Sequence, residues 1–344
     1  MSGKPKDWSL LMTIVTSLLL GVSVEAKCPP LENIYPCSCS ENIDTCFYSC
    51  KGLDNNTSFL VYEQFRSCPT IHFSIVSGEI FSLPHRFFGG FGSVERFSLS
   101  LIHTKLEYLG ETSSGLSAFD GLSVKNEFSV YMQWTDLGSS FDWSAFSAVD
   151  FGPEVSTTFF SNISEFSELS PGFYTAFSGS NMNSLVVSVA GLKSVGEIPL
   201  GQFSSLVNVN FERNSLTEIK RSNFPRPAPE LENIDLNRNR LSYLPGDLFT
   251  DMFKLKMLDI SINQISVLIE ETFKPIFTSL DRLIVIGLPL TCDCRLAWIL
   301  PDWREKVIDA SGMAWPVTCN EPPNLAGKRV RDLQVQDLAC KVKQ

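Results

Sequence analysis

Histidine is scarce in this sequence: of 344 residues only His72, His85 and His103 carry an imidazole. No H-E-x-x-H, G-x-S-x-G or phosphate-loop pattern occurs, so the usual metallohydrolase, serine-hydrolase and nucleotide-binding signatures are missing. Gly90-Phe91-Gly92 leads into a predicted strand, where a phosphate cradle would lead into a helix, so it reads as a turn. Cysteine is absent from 69 to 291, and no C-x-x-C exists anywhere. The second absence removes the common redox motif. The first means that a long middle region must hold together by packing alone. Basic residues are in deficit, 28 Lys and Arg against 38 Asp and Glu, for a net charge of −10. Nucleic acid and anionic membrane are therefore not expected partners. Neither catalysis nor a cofactor or metal is expected from this inventory.

Long apolar runs are also rare. The one present, Leu10 to Val22, follows Lys4 and Lys6 and precedes Val24-Glu25-Ala26. Basic start, short apolar stretch and small residues make residues 1–26 a predicted secretory signal peptide. The CKVKQ end is polar, so no membrane anchor is expected and the chain reads as secreted. In an oxidising compartment the ten cysteines are expected in disulfides. They fall at the two ends: Cys28, Cys37, Cys39, Cys46, Cys50 and Cys68, then Cys292, Cys294, Cys319 and Cys340. The C-x-C of Cys292 and Cys294 suits two separate disulfides better than zinc, whose paired ligands are usually spaced more widely. Spacing alone does not choose among the pairings of the first six.

The middle is periodic. LVNVNFERNSL from Leu206, LENIDLNRNRL from Leu231, LKMLDISINQI from Leu255 and LDRLIVIGLPL from Leu280 start 25, 24 and 25 residues apart. Apolar residues fall at positions 1, 4, 6 and 11, and Asn214, Asn239 and Asn263 at position 9. This is the leucine-rich repeat pattern. Positions 4 and 6 alternate with polar neighbours, as a strand with one buried face requires. One such strand cannot bury its apolar side, whereas stacked strands share a core. The position-9 amide can donate and accept, so it can serve turn groups that would otherwise be buried unpaired. Each return ends on a Phe (Phe203, Phe224, Phe249, Phe273), which predicts an aromatic stack inside the coil. Segments from Thr70, Val94 and Met182 keep the slots, with Gly78, Ile102 and Ala190 at position 9. Between them only weak strands are predicted, near 127–133 and 147–153, and 156–172 reads as a long return loop. The expected layout is an N-terminal cysteine cap over 27–69, about eight or nine repeats over 70–290 (irregular at 103–181) and a C-terminal cysteine cap over 291–344. The fold class is an α/β solenoid, a horseshoe with a parallel concave β-sheet and few helices.

The TCDCRLAWIL stretch, with Cys319 and Cys340 after it, resembles the C-terminal cap of extracellular leucine-rich repeat proteins. CPPLENIYPCSC (28–39) resembles their N-terminal cap, although two extra cysteines and Leu288 depart from the pattern. That resemblance implies Cys292–Cys319, Cys294–Cys340 and Cys28–Cys39, with Cys37 joined to Cys46 or Cys50 and Cys68 taking the remainder. The CPP…PCSC opening, single array and Phe- and Ser-rich first half further resemble an arthropod group related to the non-catalytic subunit of Oplophorus-luciferin 2-monooxygenase. This likeness implies a non-catalytic chain that binds another secreted protein, such as an enzyme subunit, as its stabilising partner. A soluble receptor-like recognition protein of immunity or development and an extracellular matrix protein are the alternatives.

In such a coil positions 2, 3, 5, 7 and 8 tile the concave face. They place Asn210, Asp235, Asp259 and Ile284 in one row, Glu212, Asn237 and Ile286 in another, and Arg213 and Arg238 in a third. Two acids beside two arginines read either as a self-neutralising face, Asp235 offsetting Arg238, or as a protein-binding patch bordered by Ile262, Ile284 and Ile286. Tyr131 and Met132 are expected to face the same way. Sequons at Asn55, Asn56 and Asn162 predict a glycoprotein. A glycopeptide digest of the secreted chain should find sugar on at least one of them, and all three bare would remove that reading.

Overall fold

The computed structural model describes residues 28–55, 57, 68–111, 115–137, 141–152, 155–162, 167–199, 201–302, 306–308, 316–338 and 340. The predicted signal peptide and the sequon residues Asn56, Ser58, Ile163 and Ser164 lie outside them. Twelve strands, in chain order, form the main sheet: β1 Cys37–Glu41, β2 Thr45–Lys51, β3 Thr70–Val76, β4 Ser93–Ile102, β5 Ser123–Gln133, β6 Ser156–Asn162, β7 Asn181–Val187, β8 Asn208–Asn210, β9 Asn233–Asp235, β10 Met257–Asp259, β11 Arg282–Ile284 and β12 Val307–Ile308. A short strand, Asp150–Phe151, adds to the start of β5. Every pair is parallel except the β1–β2 hairpin. Sequential order and parallel direction mean that each strand is followed by a return outside the sheet, which is the geometry of a solenoid. Helices are few and short, Leu31–Ile34, Pro171–Ala176 and Glu270–Phe273.

Alternation fixes which side chains enter the coil. Positions 4 and 6 of the four regular repeats, Val209 and Phe211, Ile234 and Leu236, Leu258 and Ile260, Leu283 and Val285, are buried. The first half substitutes phenylalanine. Phe88 is its hub, with ring centroids of Phe73, Phe87, Phe97 and Phe119 all within 5.5 Å. Ring contacts continue through Phe128, Phe146, Phe159, Phe173 and Phe177. In the second half Phe203, Phe224, Phe249 and Phe273 are buried as the returns require, with Phe249 against Phe273 at 5.9 Å.

Two expectations need correction. The 156–172 stretch is not a loop: Ser156–Asn162 is a full strand, β6, paired with β5 and β7 on either side. Its inward residues are Thr157, Phe159 and Ser161, all buried, so the strand lacks the aliphatic signature. The side-chain oxygens of Thr157 and Ser161 have no hydrogen-bond partner there, while Phe159 between them packs against Trp143, Phe173 and Phe177. Second, the Val94 segment is two residues out of register. Phe73 pairs with Leu99 and Val76 with Ile102, so position 9 is Thr104, not Ile102.

That shift explains how the first half manages without asparagine. In the regular repeats Asn214 Nδ2 donates to Val187 O (2.7 Å), Phe211 O (3.0 Å) and Glu212 O (3.2 Å), and its Oδ1 accepts from Ala190 and Leu192 N–H. Asn239 and Asn263 repeat the arrangement one turn on. The buried Thr104 hydroxyl meets the equivalent carbonyls, Ile75 O of the preceding turn (3.1 Å) and Ile102 O of its own (3.0 Å). Thr135 does the same with Leu101 O (2.9 Å) and Gln133 O (3.4 Å). Strands are also longer here: β3 to β6 run seven to eleven residues, against three in β8 to β11.

Disulfides close both ends. Cys28–Cys39, Cys37–Cys50 and Cys46–Cys68 tie the first hairpin to β3's approach. Cys292–Cys319 and Cys294–Cys340 tie the last segment. Leu296 and Ile299 are buried over the core, and Trp298 stacks on Phe273 while its Nε1 donates to Leu268 O. Among the described residues no helix is long and apolar enough to cross a membrane. Asn239→Ala orphans carbonyls in two turns and should lower unfolding free energy by about 3 kcal/mol, and Thr104→Val by about 1 kcal/mol. Urea titrations of the oxidised protein measure both, and equal stability of all three proteins would rule out the ladder as a support.

Candidate functional site

Positions 5, 7 and 8 of each repeat decide what the concave side offers. Pairing aligns Tyr131, Phe160, Val186, Asn210, Asp235, Asp259 and Ile284 in one row of position-5 residues. In the regular repeats this residue turns back on its own chain. Asn210 Oδ1 accepts from Glu212 N–H (2.8 Å), Asp235 Oδ1 from Asn237 N–H (2.9 Å) and Nδ2 (2.6 Å), and Asp259 Oδ1 from Ser261 N–H (2.8 Å) and Oγ (2.6 Å). These are side-chain caps that end each strand after three residues. Asp235 faces Asn237, and no ion pair joins it to Arg238 among the described residues. Asn237 Nδ2 also reaches Glu212 Oε2 at 3.2 Å. Ile284 and Ile286 are half-buried, with Ile286 against the core. Tyr131 faces out, but Met132 is buried, because neighbours on a strand point to opposite sides.

The two acids sit in an unfavourable setting for charge. Burial pushes the Asp235 carboxyl above its ordinary value, and the neighbouring Asp259 and Glu212 charges add to that against the Asn237 hydrogen bonds. Burial likewise raises Asp259, helped by Glu212 and opposed by the Ser261 hydrogen bonds.

Position 8 behaves differently. Ser77, His103, Trp134, Val189, Arg213, Arg238 and Ile262 all have φ between 49° and 55°, and Gly52 and Gly287 continue the series at 64° and 71°. Each of these residues up to Ile262 donates its N–H to the position-7 carbonyl of the next turn, at 2.7 to 3.2 Å: Ser77 to Ile102, His103 to Gln133, Trp134 to Asn162, Val189 to Glu212, Arg213 to Asn237, Arg238 to Ser261 and Ile262 to Ile286. Parallel strands must leave the sheet through the same bend, so in the described turns one residue takes the left-handed conformation. Glycine or asparagine does this cheaply, while branched and bulky residues do not. Their side chains project into solvent: Trp134 is 56% exposed, Val189 44% and Ile262 41%, with both arginines exposed. His103 stacks on Trp134 at 4.7 Å. The result is a raised ridge along one edge of the concave sheet. Its left-handed backbone was not foreseen, since position 8 has no residue type in common.

Other predicted residues fall as follows. Asn55 is exposed, but its Oδ1 accepts from Phe81 N–H (2.5 Å). Asn162 is half-buried at the end of β6, beside Trp134. The one metal-type cluster among the described residues, Cys28, Cys39 and Cys46, has its sulfurs in disulfides, so it offers no thiolates. Arg221, not singled out from sequence, is buried in a return and donates to Thr250, Phe224 and Pro225 carbonyls, stapling one turn to the next.

These features define a disulfide-capped leucine-rich repeat solenoid. Residues 229–284 match the leucine rich repeat family and 316–341 the leucine rich repeat C-terminal domain family, a protein-binding fold without catalytic machinery. The chain is similar to the Oplophorus-luciferin 2-monooxygenase non-catalytic subunit of Oplophorus gracilirostris, 24% identical over 48% of this chain and 51% of that one. It is 29% identical to the mouse leucine-rich repeat transmembrane protein FLRT2 over 43% of this chain and 22% of that protein. The chain thus spans about half or less of the length of these curated relatives. Among solved structures, a chain of the octameric complex of Latrophilin 3, Unc5D and FLRT2 superposes with TM-score 0.57 at 15% identity, covering 91% of this chain and all of that one.

A carboxyl raised by burial makes the native state bind protons more readily than the unfolded one, so stability falls as pH rises from the unfolded value through the native value. Asp235→Asn keeps the cap, as Asn210 does one turn earlier, and drops the charge. Its unfolding free energy should exceed the parent's at neutral pH, with the gain disappearing below the ordinary 3.8. Denaturant titrations at both pH values check this, and a loss at neutral pH would contradict it.

Proposed function

We propose that this chain is a secreted, non-catalytic protein-binding module, serving as the partner subunit of another extracellular protein. The observation that carries the reading is the position-8 ridge. Seven non-glycine residues there accept a backbone conformation that costs about 1–2 kcal/mol each, and their side chains do little for the core. Costly local geometry with an outward-facing side chain is a mark of a functional surface. Between Val189 and Ile262 the ridge presents Arg213 and Arg238, so two cations lie between two branched apolar side chains. Arginine with apolar flanks is a favoured interface anchor, and it suits a partner segment that is acidic in its middle and apolar at its edges. The caps of ten paired cysteines fit an oxidising compartment. The resemblance to a non-catalytic subunit, and to a fold found in a multi-protein complex, supports the partner role.

Size exclusion with mass spectrometry on the natural secretion tests it. One other chain should co-elute at fixed ratio, and Arg213→Glu with Arg238→Glu should abolish co-elution without changing the unfolding midpoint. Ile262→Asn separates fold from function: stability should rise by about 1 kcal/mol while partner affinity falls. A chain that always elutes alone, or a double variant that still binds, would overturn the reading.

A further inference from the structure

The first half of the concave sheet has a chemistry of its own. Position-5 residues there are Ser49, Ser74 and Ser100, followed by Tyr131 and Phe160. Two strand positions earlier, Phe47, His72, Ser98 and Ser129 are aligned. Of these, His72, Ser98, Ser100, Ser129 and Tyr131 line a shallow depression of about 580 Å³ over β2 to β5, together with Arg96 and Glu127.

Flat rings stand at both sides of it. Phe47 and His72 stack with centroids 5.1 Å apart and planes only 9° from parallel. Tyr131 and Phe160 lie 6.1 Å apart on the opposite side. Phe47 is 41% exposed and Tyr131 40%, so each pair offers a ring surface to solvent. They stand three strand spacings apart, roughly 14 Å. The floor between them is small and hydroxylated. Ser98 and Ser100 are half-buried, and no hydrogen bond engages their hydroxyls among the described residues. At one end Arg96 Nε stands 3.7 Å from Glu127 Oε2, both side chains about half exposed. Burial lowers the His72 imidazole from its ordinary value, against the opposing Glu127 charge. The Arg96 and Glu127 charges at the site offset each other.

Each class of ligand wants something different from such a surface. A protein hot spot wants a deep apolar pocket or an unpaired arginine, and the floor has neither. An anion or cation wants an excess of one sign, and Arg96 and Glu127 cancel. A sugar has apolar C–H faces that lie flat on aromatic rings and a rim of hydroxyls that both donate and accept. Partly exposed rings, the Ser98 and Ser100 hydroxyls, and a guanidinium and a carboxylate side by side supply partners for both kinds of group. We propose that the depression over β2 to β5 binds a neutral oligosaccharide, with His72 (backed by Phe47) and Tyr131 (backed by Phe160) as stacking platforms and Ser98, Ser100, Arg96 and Glu127 as hydrogen-bonding partners. The site is separate from the position-8 ridge and does not depend on the partner-subunit reading.

The probes are cellotriose, maltotriose and tri-N-acetylchitotriose, titrated calorimetrically into the full secreted chain after endoglycosidase trimming of its own glycans. At least one should bind. Tyr131→Ala and His72→Ala should each weaken it by about tenfold, the scale of one lost aromatic stack. Tyr243→Ala, an exposed ring in the return after β9, should leave it unchanged. Circular dichroism melting confirms that the variants fold, and the conservative Tyr131→Phe should restore most of the affinity. Failure of all three sugars to bind at millimolar concentration overturns the proposal. So does binding that survives both alanine variants, and so does a result in which Tyr131→Ala weakens only a protein partner.

Discussion

The bend at the end of each strand governs this molecule. A parallel sheet built from sequential turns needs every chain segment to leave at the same level and in the same direction. In the described turns from Ser77 to Ile262, one residue bends left-handed to do so, and its N–H reaches the next turn's carbonyl. The residue after it points inward, where Asn214, Asn239 and Asn263, or Thr104 and Thr135, satisfy carbonyls that the bend would otherwise leave buried and unpaired. Core below and exposed ridge above are two sides of one constraint.

From that bend the two halves of the concave side diverge. Where position 5 is Asn or Asp, the side chain caps its own turn, strands shorten to three residues and the face is lined with amides and carboxylates. Where position 5 is Ser, Tyr or Phe, no such cap is formed among the described residues, strands are longer and rings and hydroxyls line the sheet. A single array thus presents two chemistries, one suited to a neutral polyol and one edged by arginines. Aromatic packing under the first half makes this possible. The Phe73 to Phe177 run fills a coil whose inward strand positions include Thr157 and Ser161, residues that supply little apolar surface themselves.

Legibility followed the periodicity. Leu206 to Leu290 could be read slot by slot, because aliphatic residues at fixed spacing leave no other period. At Val94 the same method slipped by two residues: Val94 and Phe97 mimic positions 1 and 4, and strand alternation repeats every two residues, so the wrong frame also buries apolar side chains. At β6 the signal vanished, since one Phe between two hydroxyl residues does not announce a buried strand. The arginines of the ridge were visible as neighbours in the stacked repeats. The acids beside them looked like their counter-charges and turned out to be strand caps.

By itself the sequence determined the solenoid class and the capped ends. Those rest on spacing and on the presence or absence of residue types, which are one-dimensional properties. Only the tertiary structure decided the register of the first half, the threonines that stand in for asparagine, the left-handed ridge and the ring-and-hydroxyl depression. Each of these joins residues 23 to 34 positions apart, such as Thr104 with Ile75, Tyr131 with Ser100 and Thr135 with Leu101. Such neighbours are set by which turn stacks on which, and no local pattern records that.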